Sequence, residues 1–283
     1  MKLSLGTVQL GLDYGVNNST GVLTDEQADA VLDAAVDAGF SMVDTSLDYG
    51  KAVERIARFL ERRPGALEVV MKYDATLPPD TIRKLQDNAI IHSTYDMLWT
   101  SAPDMSTLDP SLADGVTVYT VDEAYLIPKG FDLVQVPASI LDDRMDMCIG
   151  FLKERGQRVF VRSLLLQGLI AADPAIGPVG TNGCPELQPM AQSYLEGLRG
   201  VAAAYDMSVT ELAVRWAWEI FPDVAIIGGE TPDQVRAVGE YWHLGPLPPS
   251  AVSAARVVRL GIPEVVISPR MWNQSYAFTT VKQ

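Results

Sequence analysis

Four side chains of complementary acid–base character end or follow short apolar runs in the first third of the chain: Asp44, Tyr49, Lys72 and His92. Asp44 closes Phe40-Ser41-Met42-Val43-Asp44, and Tyr49 follows in Asp48-Tyr49-Gly50. Lys72 closes Leu67–Lys72, and His92 closes Ala89-Ile90-Ile91-His92. A phenol, with an ordinary pKa of about 10, donates protons usefully near neutrality only where its phenolate is stabilised, and an adjacent ammonium does that. In this set Lys72 would act on Tyr49, Asp44 would pair with Lys72, and His92 would orient a carbonyl oxygen. Tyr49 then protonates the alkoxide as a hydride arrives, which is general acid catalysis of carbonyl reduction. The plainer reading is a buried ion pair with a tyrosine filling space beside it.

The elements that would position these groups alternate along the chain. Thr24 with Gln27 three residues on forms a capping box, and Ala28, Val31, Leu32, Ala35 and Val36 follow on one helical face, with Gly39 as the stop. Val53, Ile56, Ala57 and Leu60 form the next helical face before Pro64-Gly65, and a short helix is predicted around Thr81–Asp87. Strands are predicted in the N-terminal run and at Phe40–Asp44, Leu67–Lys72, Ala89–His92, Val116–Tyr119, Phe131–Val136, Arg158–Arg162 and Val224–Ile227. A helix carrying Met145, Cys148, Ile149 and Leu152 stops at Gly156. Another begins at Ser208, with Glu211 completing a second box. Eight short strands separated by helices predict an α/β fold, a parallel (β/α)8 TIM barrel in a single domain spanning 1–283, with 261–283 as a tail over its mouth. An open doubly wound sheet is the alternative, but Gly6, Gly11 and Gly15 are wrongly spaced for its dinucleotide fingerprint.

Composition excludes several classes of function. Of 283 residues 48% are hydrophobic and 20% charged, enough apolar surface to fold. The net charge of −14 disfavours nucleic acid and anionic membrane surfaces as partners. No apolar run approaches the roughly 18–20 residues of a membrane helix. Two cysteines, Cys148 and Cys184, offer no disulfide framework, and a cytoplasmic location is expected. No histidine or cysteine spacing predicts a metal site.

Seven stretches in order carry a family resemblance: Leu5–Gly11, Val43-Asp44-Thr45-Ser46 with Tyr49-Gly50, Val70-Met71-Lys72, Ile90-Ile91-His92, Gly115–Tyr119, Asp132–Pro137 and Val161–Gly168. Over nearly its whole length the chain resembles the aldo-keto reductases, particularly the bacterial branch related to spore-coat polysaccharide and sugar oxidoreductases. The resemblance implies an NADP(H)-dependent reductase of a small carbonyl or alcohol, with Asp44, Tyr49, Lys72 and His92 as its catalytic set. It also implies cofactor contacts at Thr7, Gln135, Arg162, Ser163, Gly228, Gly229, Glu230 and Gln234.

The chain departs from the family pattern in places. Thr117-Val118 replaces the usual Ser-Asn pair, and Val238 stands where an asparagine is usual. Glu230 opens the turn before Thr231-Pro232, a helix start suited to phosphate, yet a carboxylate there would repel a 2′-phosphate and accept hydrogen bonds from a free ribose hydroxyl, so NAD(H) is an alternative. A second alignment makes Asp96–Thr100 the fourth strand and places Ser101 where the histidine belongs. These departures leave open a non-redox lyase, dehydratase or isomerase, or a ligand-binding protein, on the same barrel. Asp173–Pro185 and the tail residues Arg270, Trp272, Tyr276 and Phe278 are candidate pocket walls or simple packing. Substrate and oligomeric state have no readable code in the sequence.

Overall fold

Side chains alternate across a strand, so a strand buried on both faces must be apolar on both until it nears a mouth of the barrel where polar groups are wanted. In the computed structural model, which describes residues 1–74, 76–86, 92–97, 105–172 and 187–272, the eight strands are β1 (Lys2–Gly6), β2 (Met42–Ser46), β3 (Glu68–Asp74), β4 (His92–Asp96), β5 (Gly115–Thr117), β6 (Leu133–Pro137), β7 (Arg158–Arg162) and β8 (Val224–Gly228). All pair in parallel and in sequence order, and β8 returns to β1 to close the barrel. Closure removes both sheet edges.

The helices around it are α1 (Asp25–Asp37), α2 (Ala52–Arg62), α3 (Pro79–Gln86), α4 (Val121–Leu126), α5 (Asp146–Glu154), α6 (Leu187–Ala204), α7 (Val209–Ile220), α8 (Pro232–His243), α9 (Pro249–Val258) and α10 (Glu264–Ile267). Both halves of the Thr24–Gln27 capping box form, and Gly39 takes the left-handed conformation just past α1. The second expected box is only half made. Ser208 accepts from the Glu211 backbone, but the Glu211 carboxylate pairs with Arg215 at 2.8 Å instead. A complete box forms at Thr120 and Glu123, ahead of α4. Among the described residues no helix is long and apolar enough to cross a membrane.

Period-2 alternation separates two cores. Val43, Val69, Met71, Val134, Val159, Val161, Ala225 and Ile227 face outward into the main cluster beneath the helices. The intervening Met42, Val70, Leu133, Phe160, Val224 and Ile226 form a small cluster of their own inside the barrel. The interior is therefore plugged by apolar side chains toward its N-terminal end, and chemistry is confined to the layers above.

The fourth strand differs from its expected position. Hydropathy predicted Ala89–His92 with His92 at its end, but β4 begins at His92 and runs through Ser93-Thr94-Tyr95-Asp96. Residues 87–91 lie outside the described residues, as does Ser101 of the alternative alignment. The polar letters conceal a strand because each has a partner. Thr94 bonds the Thr117 hydroxyl of β5 at 2.8 Å, and Tyr95 packs edge-on against Tyr73 and Phe131 in the outer core.

Phe160 is the largest side chain of the inner plug and is 1% exposed. Phe160→Ala should cost about 3–5 kcal/mol, seen as a lower urea midpoint with an unchanged slope. A loss under about 1 kcal/mol would mean that the barrel interior is not close-packed.

Candidate active site

Two residues beyond the plug, the inward positions turn polar together: Asp44 follows Met42, Lys72 follows Val70, Gln135 follows Leu133 and Arg162 follows Phe160. Asp44 is the hub. One of its carboxylate oxygens accepts from the Lys72 ammonium, and the other accepts from Gln135 Nε2 at 2.8 Å. Its backbone carbonyl is held by the Thr7 amide at 3.1 Å and the Thr7 hydroxyl at 2.8 Å. Asp44, Lys72 and Gln135 are all buried.

Tyr49 is carried over this layer by the loop between β2 and α2. The Tyr49 amide donates to the Ser46 carbonyl at 3.1 Å, and the Ala52 amide donates to the Tyr49 carbonyl at 2.9 Å. That turn lies so close to Gly11 that a Cβ there would fall 1.8 Å from the Tyr49 carbonyl oxygen, so only glycine fits. The Lys72 ammonium lies 5.0 Å from the centre of the Tyr49 ring.

Three phenols share this end of the barrel. Burial raises the Tyr49 pKa well above its ordinary value, and the carboxylates of Asp44, Asp96 and Asp48 add to it while Arg162 opposes. This is the reverse of the expected lowering by Lys72, because desolvation outweighs the nearby cationic charge. Tyr119 is raised chiefly by burial and then by Asp96, to whose Oδ1 its hydroxyl donates at 2.8 Å. Tyr14 is also raised by burial, then by Tyr49. Sequence reading passed over Tyr14, Asp96 and Tyr119 as site residues. Asp96 would have been found by extending β4 by two inward positions beyond the barrel floor.

His92 does not join this group. It is the first residue of β4, four residues before the mouth-facing Asp96 and thus about 13 Å from it along the strand. There its Nε2 lies 3.4 Å from Arg158 at the start of β7, and its Nδ1 lies 3.8 Å from Asp114. It belongs to the N-terminal floor, and the residue that ends β4 is Asp96.

The expected cofactor positions divide. The Thr7 hydroxyl is committed to Asp44, as above. Gln135 Oε1 and Arg162 Nε are buried without a hydrogen-bond partner among the described residues. The remaining Arg162 donors reach the Val118 carbonyl at 2.9 Å and the Ser163 hydroxyl at 3.2 Å, with the guanidinium 4.0 Å over the Tyr119 ring. Ser163, Leu166 and Gln167 all have positive φ, a strained loop locked to the β1 loop by the Val16 amide on the Gln167 carbonyl at 2.9 Å. Gly228 lets the Gln9 side chain approach, since a Cβ would meet its amide at 2.7 Å, and at Gly229 a Cβ would meet Val235 at 2.8 Å. Thr231 caps α8, while the Gln234 side chain accepts from the Glu230 amide at 2.7 Å. Half-buried Glu230 has its pKa raised by burial and then by Asp13.

The tail splits its contacts. Trp272 packs into the cluster beneath the outer helices, whereas Arg270 lies 5.0 Å over the Tyr119 ring and 3.7 Å from Glu123. Asp173–Pro185, with Cys184, and Tyr276 and Phe278 lie outside the described residues.

The sequence matches the family model described as Aldo/keto reductase family over residues 2–98 and 114–258. No curated protein matches it. Among solved structures, it resembles the holo form of the aldo-keto reductase AKR11C1 from Bacillus halodurans at 15% identity and a TM-score of 0.71, over 95% of each chain. The glycerol dehydrogenase AKR11B4 from Gluconobacter oxydans matches at 16% identity and a TM-score of 0.67, over 90% of each chain. MGS-M4, an aldo-keto reductase from a Medee basin deep-sea metagenome library, matches at 14% identity and a TM-score of 0.64, over 92% of this chain and 91% of that one. At such identities the likeness to these structures carries the fold alone.

Removing one member of a buried ion pair strands the other. Lys72→Met should therefore cost about 3–5 kcal/mol in denaturant unfolding, and adding Asp44→Asn should recover most of it. Strict additivity of the two losses would show that the pair is not coupled.

Proposed function

The chain belongs to the aldo/keto reductase family and is an oxidoreductase that works with a nicotinamide cofactor; from that premise we propose that it reduces a small carbonyl substrate, or oxidises the corresponding alcohol, with Tyr49 as the proton donor and acceptor. The observation that carries this reading is the Tyr49 phenol set over the Asp44–Lys72–Gln135 layer at the C-terminal mouth, where barrels of this kind do chemistry. A reduced nicotinamide, when bound, supplies the hydride. Tyr49 gives its proton to the carbonyl oxygen, and Lys72 faces the phenol as charge develops on it. Asp44 holds Lys72 and Gln135 in place through its two oxygens, and the apolar plug keeps water from reaching them from below. His92, on the barrel floor, has no part in this step.

The donor set fits a nicotinamide group. Gln135 Oε1 is an unpartnered buried acceptor and Arg162 Nε an unpartnered buried donor, the complement of a carboxamide. At the other end, Glu230 and Asp13 bring two carboxylates to the turn before α8. That charge suits a ribose with a free 2′-hydroxyl and repels a 2′-phosphate, which supports NADH over NADPH. Cys148 is a buried free thiol, consistent with work in the reducing cytoplasm.

Titration with NADH and NADPH, followed by cofactor fluorescence, should give tighter binding of NADH, and Glu230→Gln should narrow the difference. Binding of neither dinucleotide would sink the reading. Tyr49→Phe should lower carbonyl reduction by about 10²–10⁴-fold while leaving cofactor affinity nearly intact. Turnover surviving in that variant would remove Tyr49 from its role.

A further inference from the structure

The cations of the barrel mouth differ in what already occupies them. Lys72 is paired with Asp44. Arg162, at the end of β7, gives its two terminal nitrogens to the Val118 carbonyl at 2.9 Å and the Ser163 hydroxyl at 3.2 Å. Arg270 comes from the tail and is held differently. Its guanidinium lies 5.0 Å from the centre of the Tyr119 ring, and that of Arg162 lies 4.0 Å from the same centre. Tyr119 belongs to the mouth, because it stands two residues beyond β5 and its hydroxyl donates at 2.8 Å to Asp96, the last residue of β4.

Arg270 keeps its donors. Among the described residues it makes no hydrogen bond, and its one ion pair is to Glu123 at 3.7 Å. That carboxylate is already engaged: its other oxygen accepts from the Tyr119 amide at 2.6 Å and the Thr120 amide at 3.1 Å, as part of the box that starts α4. The Arg270 side chain is 36% exposed, so a ligand at the mouth can reach it. The backbone that carries it is fixed on both sides. Before it, the Ile267 carbonyl accepts from Arg144 at 3.2 Å, and Arg144 also pairs with Glu264 at 2.9 Å. After it, the Trp272 indole donates to the Val265 carbonyl, and Trp272 itself is buried. A guanidinium presented between two such anchors has less freedom to lose on binding.

A planar fork of N–H donors matches a carboxylate through two parallel hydrogen bonds. Asp96 and Glu123 both touch Tyr119, so a doubly charged phosphate meets more repulsion beside that ring than a singly charged carboxylate does. We infer that the substrate is a carbonyl compound bearing a carboxylate, and that Arg270 binds this carboxylate at the rim of the mouth while the carbonyl is presented to Tyr49. The inference rests on the reading of the protein as a carbonyl reductase and adds to it the charge at the far end of the substrate. Binding energy from a remote group of this kind orients the carbonyl for reaction.

The test compares acids with their neutral esters. The full-length protein, with NADH, is given 4-formylbenzoate and its methyl ester, then 4-oxobutanoate and its methyl ester. In at least one pair the acid should be reduced with a kcat/KM about 10–100-fold above the ester, the worth of a hydrogen bond to a charged group. Arg270→Gln should raise KM for that acid by about the same factor, with kcat and the ester reaction nearly unchanged, and Arg270→Lys should restore part of the loss. No preference for the acid in either pair overturns the inference, and so do equal losses on acid and ester in Arg270→Gln, which would mark a structural role. Calorimetric titration with 4-(hydroxymethyl)benzoate reads the same contact without turnover and should weaken in Arg270→Gln. Carboxylate binding that depends on Arg270, without reduction of any of the four aldehydes, would sink the reductase reading and leave the anion site standing. Reduction of acid and ester alike, with binding indifferent to Arg270, would sink only the role of Arg270.

Discussion

Neither Asp44 nor Lys72 could remain charged alone where the barrel places them. Each is almost wholly buried above a floor of Met42, Val70, Leu133 and Phe160, where an isolated charge costs several kcal/mol. They are tolerable because they face each other and because Gln135 fills the second oxygen of Asp44. The pair in turn dictates much around it. Thr7 ties the Asp44 backbone to β1, register between β2 and β3 sets Asp44 beside Val70 and Lys72 beside Ser46, and the Lys72 and Gln135 side chains reach across to Asp44 from β3 and β6. A one-residue slip in any of these strands would send its polar group outward among the helices.

Above that pair, the mouth is assembled by loops that lock onto one another. The Tyr49 turn needs the missing side chain of Gly11, and the strained segment from Ser163 to Gly168 is held by Val16 and Asn17 of the β1 loop. Such strain persists only where neighbours over-determine it. Here the neighbours are the loops carrying Tyr14 and Tyr49, so the phenols and Arg162 are positioned by the same interlock. The barrel floor shows the opposite economy. His92 meets Arg158 through Nε2 and lies 3.8 Å from Asp114 at the N-terminal end, where packing serves stability rather than reaction, although its buried Nδ1 has no hydrogen-bond partner among the described residues.

The electrostatics of the mouth follow from local pairing and burial, not from the total of −14. Desolvation decides the direction at Tyr49, with the carboxylates of Asp44 and then Asp96 adding to it and Arg162 opposing. At the α8 end, burial raises the Glu230 pKa and the Asp13 carboxylate adds to it. Distance and solvent access set the outcome in both places.

The order of strands and helices was legible in the amino-acid sequence because both-face burial writes β-branched runs and amphipathic helices write period 3.6, with Thr24–Gln27 and Thr231 marking starts. Asp44, Lys72 and Gln135 were legible as candidates for a related reason: a polar residue at the end of an apolar run is costly unless it is used. The end of β4 was not legible. Ser93, Thr94 and Asp96 look like loop residues until Thr117 and Tyr119 are known to meet them across strands distant in sequence. Hydropathy therefore stopped the strand at His92 and chose the wrong end of it. Only the closed barrel, by fixing register between strands, decided that the imidazole lies at the floor and a carboxylate at the mouth.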